Sequence, residues 1–595
     1  MKIILILPLL IVAFFVKGQS LVILHTNDMH SHLNGFSPEA EYTPLINDAD
    51  PTAGGFSRIA GYINSQKDIY DDKLLVVDAG DFLMGTLFQT LEPAEGFQLN
   101  LMKKMGYDFV AIGNHEFDYG PNTLAKILNN NLNNGPIPQL LCANYKGAKL
   151  YPDDQLRKLF DNGVILPYSV TEKNGIKIGL FGLLGVDADE SIASYYGVEF
   201  NDQKKVAKET AKYLKEVEKV DLVIALSHSG VWKNKKGEWS GEDMDYAKAA
   251  SDIDIIISGH THTYLPKALH SGSATIVQTG SKGLNVGKLI VDFDENHKPQ
   301  VTYELVKMDD KIKASSEIQA LIDNKSHFIE RNLLSGLDIG FSQPIVETSF
   351  NLSMDEMHPF ESNLGPFIAD ATYHYLNKSG KNNVDMTMVA TGVIRSDIFE
   401  GNKGKQNIND LFNIMPLGNG DDDMPGSPLA KIYVNGRELK KVLELILAVY
   451  PKKTNYYLYY SGAQIDFNPD KGLFRKIESI RIGTERDGYN NVDIGKHSKD
   501  LVSIGANKYM ISFIGQLKKM SFGIVNIVPK KANGEPFGND SFVVDMDPAK
   551  EGVQEAKEWL SIYDYVKSFP DVNGNGIPDI PEIYRTKKNP LFIVR

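Results

Sequence analysis

Five short apolar runs, each leading into residues of metal-binding type, constrain this chain more than any other feature. Leu21-Val22-Ile23-Leu24 leads to Asp28-Met29-His30, and Leu74-Leu75-Val76-Val77 leads to Gly80-Asp81. Phe109-Val110-Ala111-Ile112 runs into Gly113-Asn114-His115-Glu116-Phe117-Asp118. Leu222 to Leu226 runs into Ser227-His228, and Ile255-Ile256-Ile257 leads to Gly259-His260-Thr261-His262. Apolar runs of this length read as strands buried on both faces, and in open α/β sheets ligands bind beyond the C-terminal strand ends. Five such ends deliver Asp, His and Asn toward one place.

These ligand types, with no Cys thiolate among them, suit Zn, Mn, Fe or Co in a two-metal hydrolytic centre, where ions roughly 3.5–4 Å apart share a carboxylate. Asp81 is the natural bridge. Asn114 and His115 are adjacent in a turn, so they can serve metal and substrate respectively, and a carboxylate at Asp118 would fix the tautomer of His115. Any one of these residues alone would read as a capping residue at a strand-to-loop junction. Five ordered motifs at successive strand ends read as a site. His25 and His32 hold no motif position and are expected as supporting or loop residues.

With 595 residues, 42% hydrophobic and 23% charged, the chain has the composition of a two-domain protein with two substantial cores. A formal charge of −13 and the lack of a Lys/Arg cluster exclude a nucleic-acid polymer as partner. A small anionic phosphorylated substrate stays compatible, because bound divalent ions reverse the local field. Lys2, the apolar run Ile3 to Val16 and Lys17-Gly18-Gln19-Ser20 predict a signal peptide over residues 1–18, hence a secreted or periplasmic protein. That run is too short for a membrane span of about 20 residues. The single cysteine, Cys142, rules out internal disulfides and is expected as a small buried residue.

Strands alternate with helix-like stretches such as Lys204 to Val217, which predicts an α/β sandwich over 19–310. Ser273 to Gly280 and Leu289 to Phe293 look like its late strands. Helical spacing from Asp309 to Asn332 places a linker helix in 311–340. A second domain over 341–565 contains Pro344 to Thr348, the helix-like Pro366 to Tyr375 and a strand at Asp385 to Ala390. The tail, 566–595, carries Asp571-Val572-Asn573-Gly574-Asn575-Gly576-Ile577-Pro578-Asp579-Ile580-Pro581-Glu582. Its spacing is that of a twelve-residue EF-hand calcium loop, with ligands expected from Asp571, Asn573, Asn575, the Ile577 carbonyl, Asp579 and Glu582.

The order Asp-x-His, Gly-Asp, Gly-Asn-His-Glu, Ser-His and Gly-His-x-His resembles the calcineurin-like metallophosphoesterases, and within them the secreted 5'-nucleotidase/UDP-sugar hydrolase family. Leu24-His25-Thr26-Asn27-Asp28-Met29-His30, Gly54-Gly55-Phe56-Ser57-Arg58, Glu361-Ser362-Asn363-Leu364-Gly365 and Ile368-Ala369-Asp370-Ala371 sharpen it. The resemblance implies a four-layer α/β/β/α sandwich followed by an α+β substrate-binding domain. It implies that Asp28, His30, Asp81 and His262 hold one ion, and Asp81, Asn114, His228 and His260 the other. His115 would be the acid or electrostatic partner of the phosphoryl group, oriented by Asp118. Thr391-Gly392-Val393-Ile394-Arg395 resembles the family's Gly-Gly-Ile-Arg segment, so Arg395 is expected on the substrate phosphate, with Gly392 and Asn363 in the same site. The implied activity is hydrolysis of phosphate esters or anhydrides of nucleotides or nucleotide sugars by metal-activated water.

The chain departs from the family on the substrate side. Met357-His358-Pro359-Phe360 stands where the family has Arg before Glu-x-Asn-Leu-Gly. The two Phe that sandwich a base are also missing: Met415-Pro416-Leu417-Gly418-Asn419 replaces the first segment, and Tyr509 to Phe522 lacks the second. Phe513, Phe522, Tyr457, Tyr459 and Tyr460 are the candidates for a rearranged clamp. Two other classes of function therefore stay in view. One is the same centre acting on a cyclic phosphodiester, a thiosulfonate or another non-nucleotide; the second is a non-catalytic surface binding protein, against which His115 and Asp118 argue, because a metal cage needs neither. The sequence sets no oligomeric state.

Overall fold

The computed structural model describes residues 20–593 apart from 36–41, 152, 193–195, 296–297, 356–357, 401–403, 423, 473, 513, 515–517, 519–520, 522, 524, 539–541, 548, 551–552 and 589–590. The expected signal peptide, Met357, Phe513 and Phe522 lie outside the described residues.

The five apolar runs form five strands: β1 (Ser20–Thr26), β2 (Leu74–Asp78), β3 (Phe109–Ala111), β4 (Leu222–His228) and β5 (Ile255–Ser258). They are divided between two sheets. A seven-stranded sheet runs Pro299–Lys307, Asn285–Phe293, β1, β2, β3, Gln139–Leu141, Ile165–Leu166, with β1, β2 and β3 parallel. A six-stranded sheet runs Leu269–Ser271, Ala274–Val277, β5, β4, Ile176–Leu184, Tyr168–Lys173, with β4 and β5 parallel.

Successive side chains of a strand point to opposite faces, and the burial pattern follows this rule. Leu21, Ile23, Leu75 and Val77 meet Leu222, Ile224, Leu226, Ile255 and Ile257 in a core between the sheets. Val22, Leu24 and Val76 turn outward to Ile59 and Ile63 of the helix Phe56–Tyr70. Val223, Ala225 and Ile256 turn outward to Ala207, Ala211, Tyr246 and Ala247 on the opposite helix layer. This is the four-layer α/β/β/α sandwich, and burial on both faces is why its strands read as unbroken apolar runs.

The helix predicted between the domains is Ser316–Ile329, and it is docked onto the first domain: its Ile318 and Ile322 are buried in one core with Ile59 and Ile63. Beyond it, the second domain has a four-stranded sheet in the order Leu429–Asn435, Leu501–Asn507, Met386–Ala390, Leu458–Ser461, packed by the helix Leu364–Asn377. A second four-stranded sheet ends on Leu591–Ile593, so the end of the chain returns to pair with Ala463–Phe467. Among the described residues, no helix is long and apolar enough to cross a membrane.

Candidate metal centre

Three of the five strand ends, those of β1, β2 and β5, turn sharply through left-handed residues. Asp28, His30, Asp81, His260 and His262 all adopt positive φ, between 48° and 74°, although none is glycine. Such conformations disfavour side-chain-bearing residues and persist where the surrounding structure imposes them, as at functional sites. Backbone bonds do so here: Asp28 N–H donates to Gly80 O at 2.9 Å and His30 N–H to Asp81 O at 2.9 Å, locking the β1 and β2 ends together.

The side chains converge. Asp81 Oδ2 is 3.0 Å from His228 Nε2 and 3.9 Å from His30 Nε2, so one carboxylate lies between two histidines. His30 Nε2 and His262 Nε2 face each other at 2.9 Å, with Asp28 Oδ1 at 4.0 Å and 3.6 Å from them. Asn114 Oδ1 lies 3.1 Å from His228 Nε2 and 3.0 Å from His260 Nδ1. All seven residues expected as ligands are brought together. Two overlapping donor sets, Asp28–His30–His262 and Asp28–Asp81–His228, each hold their ligand atoms within 4.8 Å of one another.

The chemistry of this donor set fits divalent metal ions. The second ring nitrogens of two histidines are occupied from behind: His30 Nδ1 lies 2.9 Å from Met84 O, and His228 Nδ1 lies 2.9 Å from Ala79 O. That arrangement fixes ring orientation and tautomer, and leaves both Nε2 atoms facing inward. Burial holds His30 and His262 well below the ordinary histidine value, which keeps them neutral as ligands must be. Burial pushes Asp28 up to about 7, with Asp81 adding to the effect while His228 opposes it. Against the cost of burial, His228 and His115 hold Asp81 well below the carboxylate range. Burial alone would lower His228, but Asp81 and Asp28 lift it to about 10, so an ion bound between these carboxylates would displace its proton.

His115 stands beside this cluster. Its Nδ1 is 2.7 Å from Asp118 Oδ2, its backbone N–H donates to Asp81 Oδ1 at 2.9 Å, and its Nε2 is 3.4 Å from Arg395 Nη2 of the second domain. Burial opposes protonation of the ring, but Asp118 and Asp81 raise it above the ordinary histidine value. Residues 280 apart in sequence thus meet at one imidazole.

Other expected residues fall elsewhere. Asn363 is committed to backbone: its Nδ2 donates to Asn351 O and Tyr584 O, both at 3.0 Å, and its Oδ1 accepts from Ser353 N–H at 2.8 Å. Its polar atoms tie the start of a helix to two loops and are not presented to a substrate. Gly392 sits in a short turn against Asn455, where a Cβ would press on the Asn455 backbone at 3.1 Å. Tyr457, Tyr459 and Tyr460 are buried in the second domain's cores and offer no face for stacking, while Leu417 is only partly buried. Arg58 is fully buried and pairs with Asp310 at 2.7 Å and Asp50 at 3.2 Å, closing the first domain. His32 is a loop residue whose Nδ1 lies 2.9 Å from His30 O, and Cys142 is buried as expected.

In the tail, Asp571 folds the loop by accepting N–H bonds from Gly574, Asn575 and Gly576. Ile577 N–H donates to Asn575 Oδ1 at 2.9 Å, and Val572 N–H to Asp579 Oδ2 at 2.7 Å. Glu582 is not aimed at this loop. It opens a short 3₁₀ turn, where Arg585 and Ser349 take its carboxylate. Glu347, buried on the strand Pro344–Glu347, faces the loop instead and accepts from the side-chain amides of Asn573 and Asn575.

An α/β/β/α sandwich with imidazole, carboxylate and amide groups gathered at five strand ends points to the class of calcineurin-like phosphoesterases, and residues 21–264 match the model of that family. Residues 339–493 match the 5'-nucleotidase C-terminal domain. The chain belongs to the 5'-nucleotidase family of calcineurin-like phosphoesterases, whose members are metal-dependent hydrolases. It is 27% identical over 491 residues to the 5'-nucleotidase of Rattus norvegicus, covering 78% of each chain. It is 26% identical over 562 residues to the trifunctional nucleotide phosphoesterase protein YfkN of Bacillus subtilis (strain 168), covering 86% of this chain and about a third of YfkN, 34%. The fold matches that of the 5'-nucleotidase precursor of Thermus thermophilus with a TM-score of 0.68 at 20% identity, over 97% of this chain and 99% of that one.

Proposed function

We propose that this chain is a secreted or periplasmic phosphohydrolase that cleaves phosphate esters or anhydrides of nucleotides or nucleotide sugars. The observation that carries the reading is the meeting of the buried ligand cluster with His115, Asp118 and Arg395, because binding metal alone requires none of those three. Asp28, His30, Asp81 and His262 would hold one divalent ion of the Zn, Mn, Fe or Co type, and Asp81, Asn114, His228 and His260 a second. When bound, such ions generate a nucleophile from water at neutral pH and polarise the phosphoryl oxygens.

The chain's own residues do the rest. Asp118 engages Nδ1 of His115 and leaves Nε2 toward Arg395 and the ligand cluster. From there the ring stabilises charge on the phosphoryl group or hands a proton to the leaving oxygen. Arg395 brings a planar donor fork into the same space, matched to two phosphate oxygens.

Nucleotides are favoured as substrates by what the similar proteins are named for. The second reading, a non-nucleotide substrate on the same centre, is favoured by Leu417 at the first clamp position and by the burial of Tyr457, Tyr459 and Tyr460. A stacked base contributes about 1–3 kcal/mol, so loss of both rings weakens nucleoside binding by orders of magnitude unless other groups replace them. The deciding experiment gives the mature chain Mn or Zn and measures phosphate and nucleoside release from AMP, UDP-glucose, a 2',3'-cyclic nucleotide and an aryl phosphate. Efficient turnover of AMP or UDP-glucose supports the nucleotide reading. Turnover of aryl phosphate alone assigns the centre to another substrate.

For the tail we propose one calcium ion held by Asp571, Asn573, Asn575, the Ile577 carbonyl and Asp579, with Glu347 in the position expected of Glu582. Support comes from the loop spacing and from the way Glu347 faces it.

A further inference from the structure

Two buried carboxylates outside the ligand set each tie together the ends of two strands. Glu116 is fully buried. Its Oε2 accepts N–H bonds from Asp81 at 3.1 Å and Gly113 at 2.6 Å, and its Oε1 accepts from Leu83 N–H at 3.0 Å. One side chain thereby fixes the loop after β2, which carries Asp81, against the loop after β3, which carries Asn114 and His115. Asp81 returns the link by accepting His115 N–H on its own Oδ1. The two loops approach so closely that a Cβ at Gly113 would overlap Asp81 Oδ1.

The second sheet has an equivalent. Asp243, on the helix Glu242–Ala249, is fully buried. Its Oδ1 accepts from Ser227 Oγ at 2.6 Å, and its Oδ2 accepts from Ser258 Oγ at 2.6 Å and Gly230 N–H at 3.1 Å. Ser227 precedes His228, and Ser258 lies two residues before His260. Asp243 therefore holds the β4 and β5 ends at a set spacing.

We propose that Glu116 and Asp243 are positioning residues for the metal centre, one for each sheet, and that they set the distances among Asp81, Asn114, His228 and His260. The proposal rests on the metal-centre reading above. The physical reason is that the sandwich core fixes the strands but not the loops beyond them. A carboxylate has enough lone pairs to accept from both loops at once, which an amide or a shorter chain cannot reproduce. Side chains that hold metal ligands in place typically matter by about 10–100-fold in metal affinity or activity when removed.

The test uses the full chain stripped of metal, as wild type, Glu116→Gln, Asp243→Asn and Asp68→Asn, the last being an exposed carboxylate away from the site. Bound Mn per chain is measured by mass spectrometry as Mn is titrated, alongside the Tm of the metal-free forms. Glu116→Gln and Asp243→Asn are expected to need about 10–100-fold more Mn for half occupancy, with Asp68→Asn unchanged. A lower metal-free Tm with an unchanged Mn midpoint would reduce both residues to ordinary fold stabilisers and overturn the proposal. If either variant fails to fold, Gly113→Ala and Ser258→Ala perturb the same loops from the opposite side, and an unshifted Mn midpoint in both would overturn it equally. A wild type that binds two ions yet hydrolyses no phosphate ester would defeat the proposed function and leave the positioning role standing.

Discussion

His25 lies on β1, three residues before Asp28, fully buried and stacked on Tyr303, with a hydrogen-bond partner at neither ring nitrogen. It is a core residue of the strand and does not support the ligands. Burial lowers its pKa to about 3, whereas in the unfolded chain it titrates near the ordinary value of about 6.5. Between those values the unfolded state binds the extra proton, so its contribution to stability is complete above about pH 6.5 and is lost as pH falls toward 3. His25→Leu is expected to lose less stability than wild type between pH 7 and 4, as read from urea midpoints; parallel pH profiles would refute this. His115→Ala is expected to lower turnover by about 10²–10⁴ with metal content intact, checked by steady-state kinetics beside metal analysis. An unchanged rate in the metal-loaded variant would remove His115 from the mechanism.

At the scale of elements, the first domain was legible because each core strand is buried on both faces and so is written as a continuous apolar run bounded by Gly, Asp and His. The convergence of the seven expected ligands was legible for the same reason, since each lies at the end of its strand or within four residues of it. Glu116, Asp243 and Asn27 were not read as site residues. Asn27 holds Asp28 through a 2.6 Å bond to its carboxylate and links it to Thr279 and Gly280. Each has partners remote in sequence, Asp81 and Leu83 for Glu116, Ser227 and Ser258 for Asp243, Thr279 and Gly280 for Asn27, and such pairings have no fixed spacing to recognise. The same holds for Asp187, 73 positions from His260 and 3.2 Å from its Nε2. In the tail the spacing suggested Glu582, but Pro581 and the 3₁₀ turn direct that carboxylate to Arg585, and the facing carboxylate comes from a strand more than two hundred residues earlier. If the loop binds calcium, added Ca²⁺ raises the Tm of wild type and of Glu582→Gln but not of Glu347→Gln. A wild type indifferent to Ca²⁺ and to chelation would dispose of that site.

Across the whole molecule, the second domain meets the first beside the candidate metal centre through a shared apolar cluster and a set of polar contacts. Arg395 reaches His115, Tyr509 Oη donates to Ser191 O at 2.8 Å, Lys453 pairs with Glu190 at 3.3 Å, and Gln89 donates to Pro416 O at 2.7 Å. Arg395→Ala is expected to raise KM mainly, with kcat changed much less; a collapse of kcat at unchanged KM would contradict its role as a phosphate anchor. Because three of the strand ends carry left-handed non-glycine residues and the site holds two partly compensated buried carboxylates, the metal-free protein is expected to be markedly less stable. Each ion at about a hundredfold its Kd would restore about 2.7 kcal/mol, seen as a Tm rise of several degrees that EDTA reverses. The most direct test of a two-metal phosphohydrolase is phosphate release from an aryl phosphate by the metal-stripped chain as Mn is added back. No turnover is expected without metal, and activity should saturate at two ions per chain. Hydrolysis indifferent to chelation, or a chain holding two ions with no phosphoesterase activity on any ester tried, would contradict that assignment.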